Sequence, residues 1–435
     1  MKLYKRESFI INIALLFSSV IILFIICELY LSYFHPEYNS IYQPDKKLLF
    51  RLVPDGKKIY RRIPVNGGQK IQIRINDSGF RGKEIEKIKK KRIMVYGDSF
   101  IEGEFSELKN TFCERLKFEI NNASKQYIEV INAGVVGYGP DQSLLKLEED
   151  YEKYKPDIVI FSIYAGNDFG DLIRNKIFSY ASIKSSSKIN YADKKKYLSL
   201  TETKKKYDQN QDSSLLSNTN NYYLKESLRV CLDNNAYPGG IRKFNLVRYI
   251  ERKLNLNSCN DYNYNGINGS NYVDWSLGVC NDEFKDYVSG DNIVKNLFND
   301  HYDADISLSP ESKSARYKIN LMYIVLNNLY HFSKIKDLRT LVLIIPPKID
   351  LYQDGYFKLN KSIYPKFNSI RLSKLAEEIA VLNHLNCLNL YSFFKTDNPL
   401  EFYFNGSNDH WNDRGQDYAA RLTTNLILNL FSDNR

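Results

Sequence analysis

The chain has 435 residues, enough for one large domain with insertions or two modest ones, and its 43% hydrophobic and 26% charged content is ordinary for a globular protein. The formal net charge of +10 sits on lysines scattered among Asn, Ile and Tyr. Scattered lysine describes a solvated surface, whereas a nucleic-acid footprint clusters on one face. No helix-turn-helix, zinc-ligand or RNA-binding signature is present, so nucleic acid is not among the expected partners.

The N-terminus carries Lys2, Lys5 and Arg6 ahead of an apolar run from Phe9 to Ile26, interrupted only by Asn12, Ser18 and Ser19. With Leu29, Tyr30, Leu31, Tyr33 and Phe34 the segment can span a bilayer as a helix. The basic residues before it predict a cytoplasmic N-terminus with everything after the helix outside. Ile26, Cys27, Glu28, Leu29 and Tyr30 offer neither a small-residue cleavage site nor a lipobox, which favours an uncleaved signal anchor over a removed signal peptide. Residues 1–35 are therefore expected to be a cytoplasmic tip and transmembrane anchor.

Residues 36–91 read as a β-rich connector. Lys58–Ile63 and Gln69–Ile75 alternate apolar and polar side chains as half-buried strands do, and Asn76–Gly79 and Arg81–Gly82 are turn signals. Lys83–Arg92 is a basic run diluted by Glu84 and Glu86, read as a solvated connector.

From Arg92 the pattern becomes strand–helix alternation. It predicts strands at Arg92–Tyr96, Tyr127–Asn132 and Asp157–Tyr164, and helices at Glu107–Asn121 and Asp141–Tyr154. Later come a strand at Leu341–Ile345, a helix around Ile370–Leu385, a short strand at Leu388–Tyr391 and a last helix from about Asp413 to Phe431. Apolar strands alternating with amphipathic helices imply a parallel sheet covered on both faces, with its site at the carboxyl ends of the strands. Between about 170 and 310 the alternation breaks down into a polar insertion rich in Asn, Ser, Tyr and Lys, either a lid or subdomain or a decorated surface. Of the six cysteines, Cys231, Cys259 and Cys280 fall there, and a disulfide among them is compatible with an extracytoplasmic setting. No cysteine pair has C-x-x-C spacing.

Four polar blocks follow predicted strands or precede the last helix: Gly97-Asp98-Ser99, Asn132 to Gly139, Gly166-Asn167-Asp168 and Asn408 to Asn412. Acyl transfer to serine needs a nucleophile, a base within hydrogen-bond reach and donors aimed at the developing oxyanion. Ser99 supplies a hydroxyl and His410 an imidazole. Gly137 has an N–H that no side chain obstructs, and Asn167 a side-chain amide. Asp98 reads as a turn or helix-capping residue.

Ser99, Gly137, Asn167 and His410, in that chain order, resemble the four signature positions of the SGNH hydrolases, or GDSL-type esterases. The resemblance covers residues 92 to about 169 and 340 to 430. It implies a three-layer α/β/α sandwich with a five-stranded parallel sheet over residues 92–435, carrying the 170–310 insertion. It also implies an oxyanion hole from the N–H of Ser99, the N–H of Gly137 and the amide of Asn167. One feature departs from the family, which places an aspartate two or three residues before the histidine. Those positions hold Asn408 and Ser407, and Asp409 is adjacent to His410 instead. Adjacent side chains in an extended segment point in opposite directions. Asp409 reaches the ring only if the loop bends; otherwise Asn408 or a backbone carbonyl orients it. The expectation is a membrane-anchored serine esterase that needs no cofactor and no metal, acting on an ester such as an acylated glycan or lipid. An O-acyltransferase for a surface polysaccharide and a non-catalytic glycan-binding or assembly protein are the competing readings. Wealth in Lys, Asn, Ile and Tyr leans towards a bacterial envelope.

Overall fold

The computed structural model describes residues 2–35, 40–45, 47–62, 64–86, 91–172, 246, 249–250, 306–307, 310–311, 313–351, 368–396, 398–405 and 409–432. The expected insertion, apart from its ends and three residues within it, and the pairing of Cys231, Cys259 and Cys280 lie outside the described residues.

Helix α1 (Lys2–Phe34) is the helix, among the described residues, that is long and apolar enough to cross a membrane or act as a signal anchor. Its stretch Ile11–Phe34 has a mean hydropathy of 2.5, and of its residues Leu31 alone is buried inside the protein. At about 1.5 Å per residue such a stretch covers the roughly 30 Å hydrocarbon core of a bilayer.

Two antiparallel ribbons follow: β1 (Tyr42–Asp45) with β2 (Leu49–Leu52), and β3 (Lys57–Arg61) with β4 (Lys70–Arg74). In β4 the alternation seen in the sequence holds: Ile71 and Ile73 are buried, and Lys70, Gln72 and Arg74 are exposed. These ribbons are not a free connector. Ile41, Leu48, Phe50, Leu52, Ile71, Ile73 and Ile75 form one apolar cluster with Val135, Tyr138 and Leu145 of the following domain. The Tyr138 hydroxyl donates to the Phe50 carbonyl at 2.5 Å, and Gln142 Nε2 to the Leu48 carbonyl at 2.6 Å.

The domain is built on β5 (Lys91–Tyr96), β6 (Ile128–Asn132), β7 (Ile158–Tyr164), β8 (Arg339–Ile345) and β9 (Asn386–Asn389). All pair in parallel, in the order β6-β5-β7-β8-β9. Side chains alternate between two covered faces. Ile93, Val95, Val130, Ile158, Ile160, Leu341 and Leu343 meet α3 (Phe112–Ser124) and α9 (Asp413–Ser432). Met94, Tyr96, Ile131, Val159, Phe161, Val342 and Ile344 meet α4 (Pro140–Tyr154), α5 (Lys313–Ile335) and α7 (Arg371–Leu382). This is a three-layer α/β/α sandwich. The short helices α2 (Ser99–Glu102), α6 (Lys348–Leu351) and α8 (Tyr391–Phe394) begin soon after the carboxyl ends of β5, β8 and β9.

Three elements and one residue differ from the sequence reading. The helix expected at Glu107–Asn121 is a 3₁₀ turn (Leu108–Asn110) and then α3, because extended Thr111 breaks the run. The last strand ends at Asn389, where Asn389 Oδ1 accepts from the Tyr391 N–H and turns the chain into α8. Helix α5 has no bounds in the sequence reading, although Leu321, Met322, Val325, Leu326 and Leu329 lay a clear apolar stripe into the core. Arg92, the end of the basic run, is buried: its Nε donates to Glu129 Oε2 at 2.7 Å and its Nη1 to the Tyr154 carbonyl at 2.7 Å.

Since Leu145 joins the N-terminal ribbons to α4, Leu145→Ala should destabilise the chain by about 2–5 kcal/mol in urea denaturation. Hydrogen exchange at Leu48–Leu52 should accelerate before that of β7, and equal protection at both would show that the ribbons do not depend on this contact.

Candidate active site

A sheet order in which the first strand is flanked by the second and third creates a crevice at the carboxyl ends of those strands, where the chain reverses direction across the sheet. The sequence places its polar blocks there. Ser99 follows β5, Gly137 follows β6 and Asn167 follows β7.

Ser99 opens α2. Asp98 caps that helix, its Oδ1 accepting from the Phe100 N–H at 3.0 Å, so it serves the turn that presents the serine. Burial, opposed by that bond and by the His410 charge, pushes the Asp98 carboxyl up to about 6.

His410 arrives from far along the chain. Phe404 N–H donates to the His410 carbonyl at 3.0 Å, Asn412 N–H donates to the Phe402 carbonyl at 3.0 Å, and Tyr403 bridges Trp411. This short antiparallel pairing is locked by Trp411, whose fully buried ring meets Phe100 and Phe394. Asn412 then caps α9 by accepting from the Arg414 and Gly415 N–H groups. Lys348 Nζ steadies the opposite strand by donating to the Phe404 carbonyl at 2.7 Å.

So fixed, His410 Nε2 lies 2.6 Å from Ser99 Oγ. The imidazole stacks on Phe100 at 4.8 Å between centroids and meets the edge of Phe105 at 4.7 Å. On its other side Asp409 Oδ1 lies 3.1 Å from Nδ1, so the adjacent aspartate does reach the ring. Asn408, the other candidate orienter, lies outside the described residues.

The sequence reading missed Tyr164, the last residue of β7. Its hydroxyl donates to Asp409 Oδ2 at 2.6 Å and its ring packs on Phe100 at 4.4 Å. Each carboxylate oxygen of Asp409 thus has a partner, which fixes the rotation of the side chain. A tyrosine two residues before Gly166-Asn167 was the available signal, but it read as one more strand residue.

Electrostatically, burial alone would lower the His410 pKa. The Asp409 carboxylate outweighs it by hydrogen bond and by charge, Glu104 and Asp98 add to it, and the imidazole is held above its usual 6.5.

Gly137 has φ of +79°, a conformation that strains any residue with a Cβ. Tyr138 N–H donates to the Val135 carbonyl at 3.0 Å, so Gly137 sits at the third position of a tight turn of type II character. Asn167 closes the turn after β7, its N–H donating to the Tyr164 carbonyl at 3.4 Å. Its Oδ1 is buried with no hydrogen-bond partner among the described residues. The side-chain bond that secures this corner comes from Asp168, whose Oδ2 accepts from the Tyr164 N–H at 2.7 Å. Among the described residues no group of three or more His, Cys, Asp or Glu side chains could hold a metal ion.

No family model matches the chain, and no curated protein matches it. Among solved structures, a lipase/acylhydrolase from Enterococcus faecalis aligns with 78% of this chain and 95% of its own at 13% identity and a TM-score of 0.34. An α/β hydrolase from the Lake Arreo metagenome aligns with 78% and 96% at 10% identity and a TM-score of 0.34. A protein described as a GDSL-like lipase, from Parabacteroides merdae, aligns with 80% and 100% at 12% identity and a TM-score of 0.32. The fold assignment stands on the strand order and pairing given above.

The charge arrangement has a direct consequence. NMR titration of the His410 imidazole should give a pKa above 6.5, and Asp409→Asn should lower it, because the attraction favouring the imidazolium is lost. An unchanged value in Asp409→Asn would remove Asp409 as the partner of the ring.

Proposed function

We propose that this protein is a membrane-anchored serine esterase of the SGNH, or GDSL, type. The observation that carries the reading is the relay from Ser99 Oγ to His410 Nε2 at 2.6 Å and from His410 Nδ1 to Asp409 at 3.1 Å, set at the crevice of a parallel sheet.

Neutral His410 takes the Ser99 proton as Oγ attacks the carbonyl carbon of an ester. The oxyanion of the tetrahedral intermediate is met by the N–H groups of Ser99 and Gly137 and the amide of Asn167. His410, now an imidazolium paired with Asp409, gives its proton to the departing alcohol, leaving an acyl-Ser99 ester. Water attacks that ester with His410 again as base, and the acid leaves. Asp409 holds the tautomer that keeps Nε2 an acceptor towards Ser99 and stabilises the imidazolium between the two transfers. Its contact with Nδ1 also takes away the main ground for a binding-only protein, which was the lack of an aspartate at the usual spacing.

Helix α1 supports tethering to a membrane. The basic residues before it favour a cytoplasmic N-terminus and an extracytoplasmic catalytic domain. O-acyl groups on glycans or lipids are the proposed substrates.

The test uses the full chain in detergent with p-nitrophenyl acetate, butyrate and octanoate. Ser99→Ala and His410→Ala should each lower kcat by at least about 10³-fold, and a fluorophosphonate probe should label wild type but not Ser99→Ala. Wild type no faster than both variants and unlabelled would refute the serine esterase. Label at Ser99 with hydrolysis no faster than the variants, together with transfer from an acetyl donor to a glycan, would make it an acyltransferase.

The pH profile provides a separate check. Because His410 acts as base only when neutral and its pKa is raised, kcat/KM should fall as pH drops through a value above 6.5. Tyr164→Phe keeps the ring but removes one bond to Asp409 and should cost about 10-fold in kcat. A Tyr164→Phe enzyme with wild-type kcat would show that the tyrosine hydroxyl has no share in positioning the relay.

A further inference from the structure

Glu102 stands three residues after Ser99, is fully buried, and has no part in the relay described above. Its Oε2 accepts from the Val136 N–H at 2.7 Å. The Tyr42 hydroxyl, from β1, approaches the same carboxyl at 3.2 Å from Oε1 and 3.3 Å from Oε2. The Glu102 carbonyl in turn accepts from buried Arg81 Nη1 at 2.6 Å, and Arg81 Nη2 donates to the Ser106 carbonyl at 2.6 Å. Asn132, at the end of β6, donates to the Ile101 carbonyl at 2.7 Å and accepts from the Gly134 N–H at 3.0 Å. At Gly134 a Cβ would come within 2.5 Å of the Glu102 nitrogen, so the loop after β6 lies directly against α2.

Val136 is the second residue of the Val135–Tyr138 turn and Gly137 the third. Turning the peptide that carries the Gly137 N–H requires rotation about ψ of Val136 and φ of Gly137. The first peptide of the turn is pinned at the Val136 N–H by Glu102, and the last is pinned at the Tyr138 N–H by the Val135 carbonyl. Holding both neighbouring peptides fixes the turn in place against α2, and the φ of +79° at Gly137 sets which way the middle peptide faces. An oxyanion donor is useful only when its direction is set before the charge develops.

Resting on the esterase reading, we infer that Glu102 is a positioning residue: its carboxyl, held from the far side by the Tyr42 hydroxyl, fixes the Val135–Tyr138 turn and so aims the Gly137 N–H at the oxyanion. The N-terminal ribbon thereby contributes to the catalytic geometry without touching substrate. Burial, reinforced by the nearby Glu104, pushes the Glu102 carboxyl up to about 7, so neutral glutamine is a close stand-in at this position.

Full-chain wild type, Glu102→Ala, Glu102→Gln and Tyr42→Phe would be compared by two readouts. Amide hydrogen exchange at Val136 tests the clamp whether or not the enzyme turns over. It should accelerate at least about 10-fold in Glu102→Ala while β7 stays protected, and remain near wild type in Glu102→Gln, whose Oε1 can still accept. Steady-state kinetics test the consequence. Glu102→Ala should lower kcat by at least about 10-fold with KM within about 3-fold, Glu102→Gln should retain activity within about 3-fold, and Tyr42→Phe should fall by about 3-fold or more. Unchanged Val136 exchange in Glu102→Ala, a change confined to KM, or Glu102→Gln as impaired as Glu102→Ala would overturn the inference. If Glu102→Ala does not fold, wild-type exchange and kcat in Tyr42→Phe would overturn it as well. An unlabelled, inactive wild type would count against the esterase reading, while the exchange result would still decide the clamp.

Discussion

The hydrogen bond between Ser99 Oγ and His410 Nε2 joins residues 311 apart in sequence, and much of the architecture holds those two side chains at 2.6 Å. The serine end is fixed by the parallel sheet, since β5 lies between β6 and β7 and α2 starts directly from its end. The histidine end has no strand of the sheet behind it. It depends on the pairing of Tyr403 with Trp411, on the burial of the Trp411 ring among Phe100 and Phe394, and on Lys348 holding the Phe404 carbonyl. Phe100 connects the two ends: it follows the serine and lies flat against the imidazole. A cavity at this ring would loosen Ser99 and His410 together.

The crevice is rich in carboxyl groups. Asp98, Glu102, Glu104 and Asp409 gather near one imidazole and one buried guanidinium, Arg81. Desolvation raises Asp98 and Glu102 towards neutrality, while the acidic surroundings raise His410. Two causes act here: loss of water raises the two carboxyls, and concentrated negative charge raises the imidazole against its own burial. Asp409 is the carboxyl group in direct contact with the imidazole.

The segment between α1 and the sheet belongs to the same body as the crevice. Its ribbons share an apolar cluster with the loop after β6 and with α4. Arg62 reaches Asp413 Oδ1 at 2.6 Å and the Phe105 carbonyl at 2.6 Å, tying the start of α9 to the residue that edges onto His410. Tyr42 reaches Glu102. A truncation that cut into the first ribbon would therefore alter the crevice as well as the link to α1.

The sheet strands and most of the helices were legible in the sequence because their signals are local. Burial on both faces writes continuous apolar runs such as Ile158–Tyr164, and a strand that stops at Gly97-Asp98-Ser99 announces its turn by composition. Helix α1 was legible for the same reason, as one long apolar run. Three features were decided only by the tertiary structure. Neighbouring Asp409 and His410 reach one another through a loop conformation set by contacts with Phe402, Phe404 and Trp411, residues that spacing rules do not weigh. Tyr164 and Glu102 acquired their partners from remote segments, Asp409 in one case and Tyr42 and Val136 in the other. Residues 36–91 looked like a connector because their alternation shows that one face is buried but not against what. A pattern along the chain records which side of an element avoids water; which atoms meet there depends on how elements far apart in sequence are stacked, and that is fixed only when the chain closes on itself.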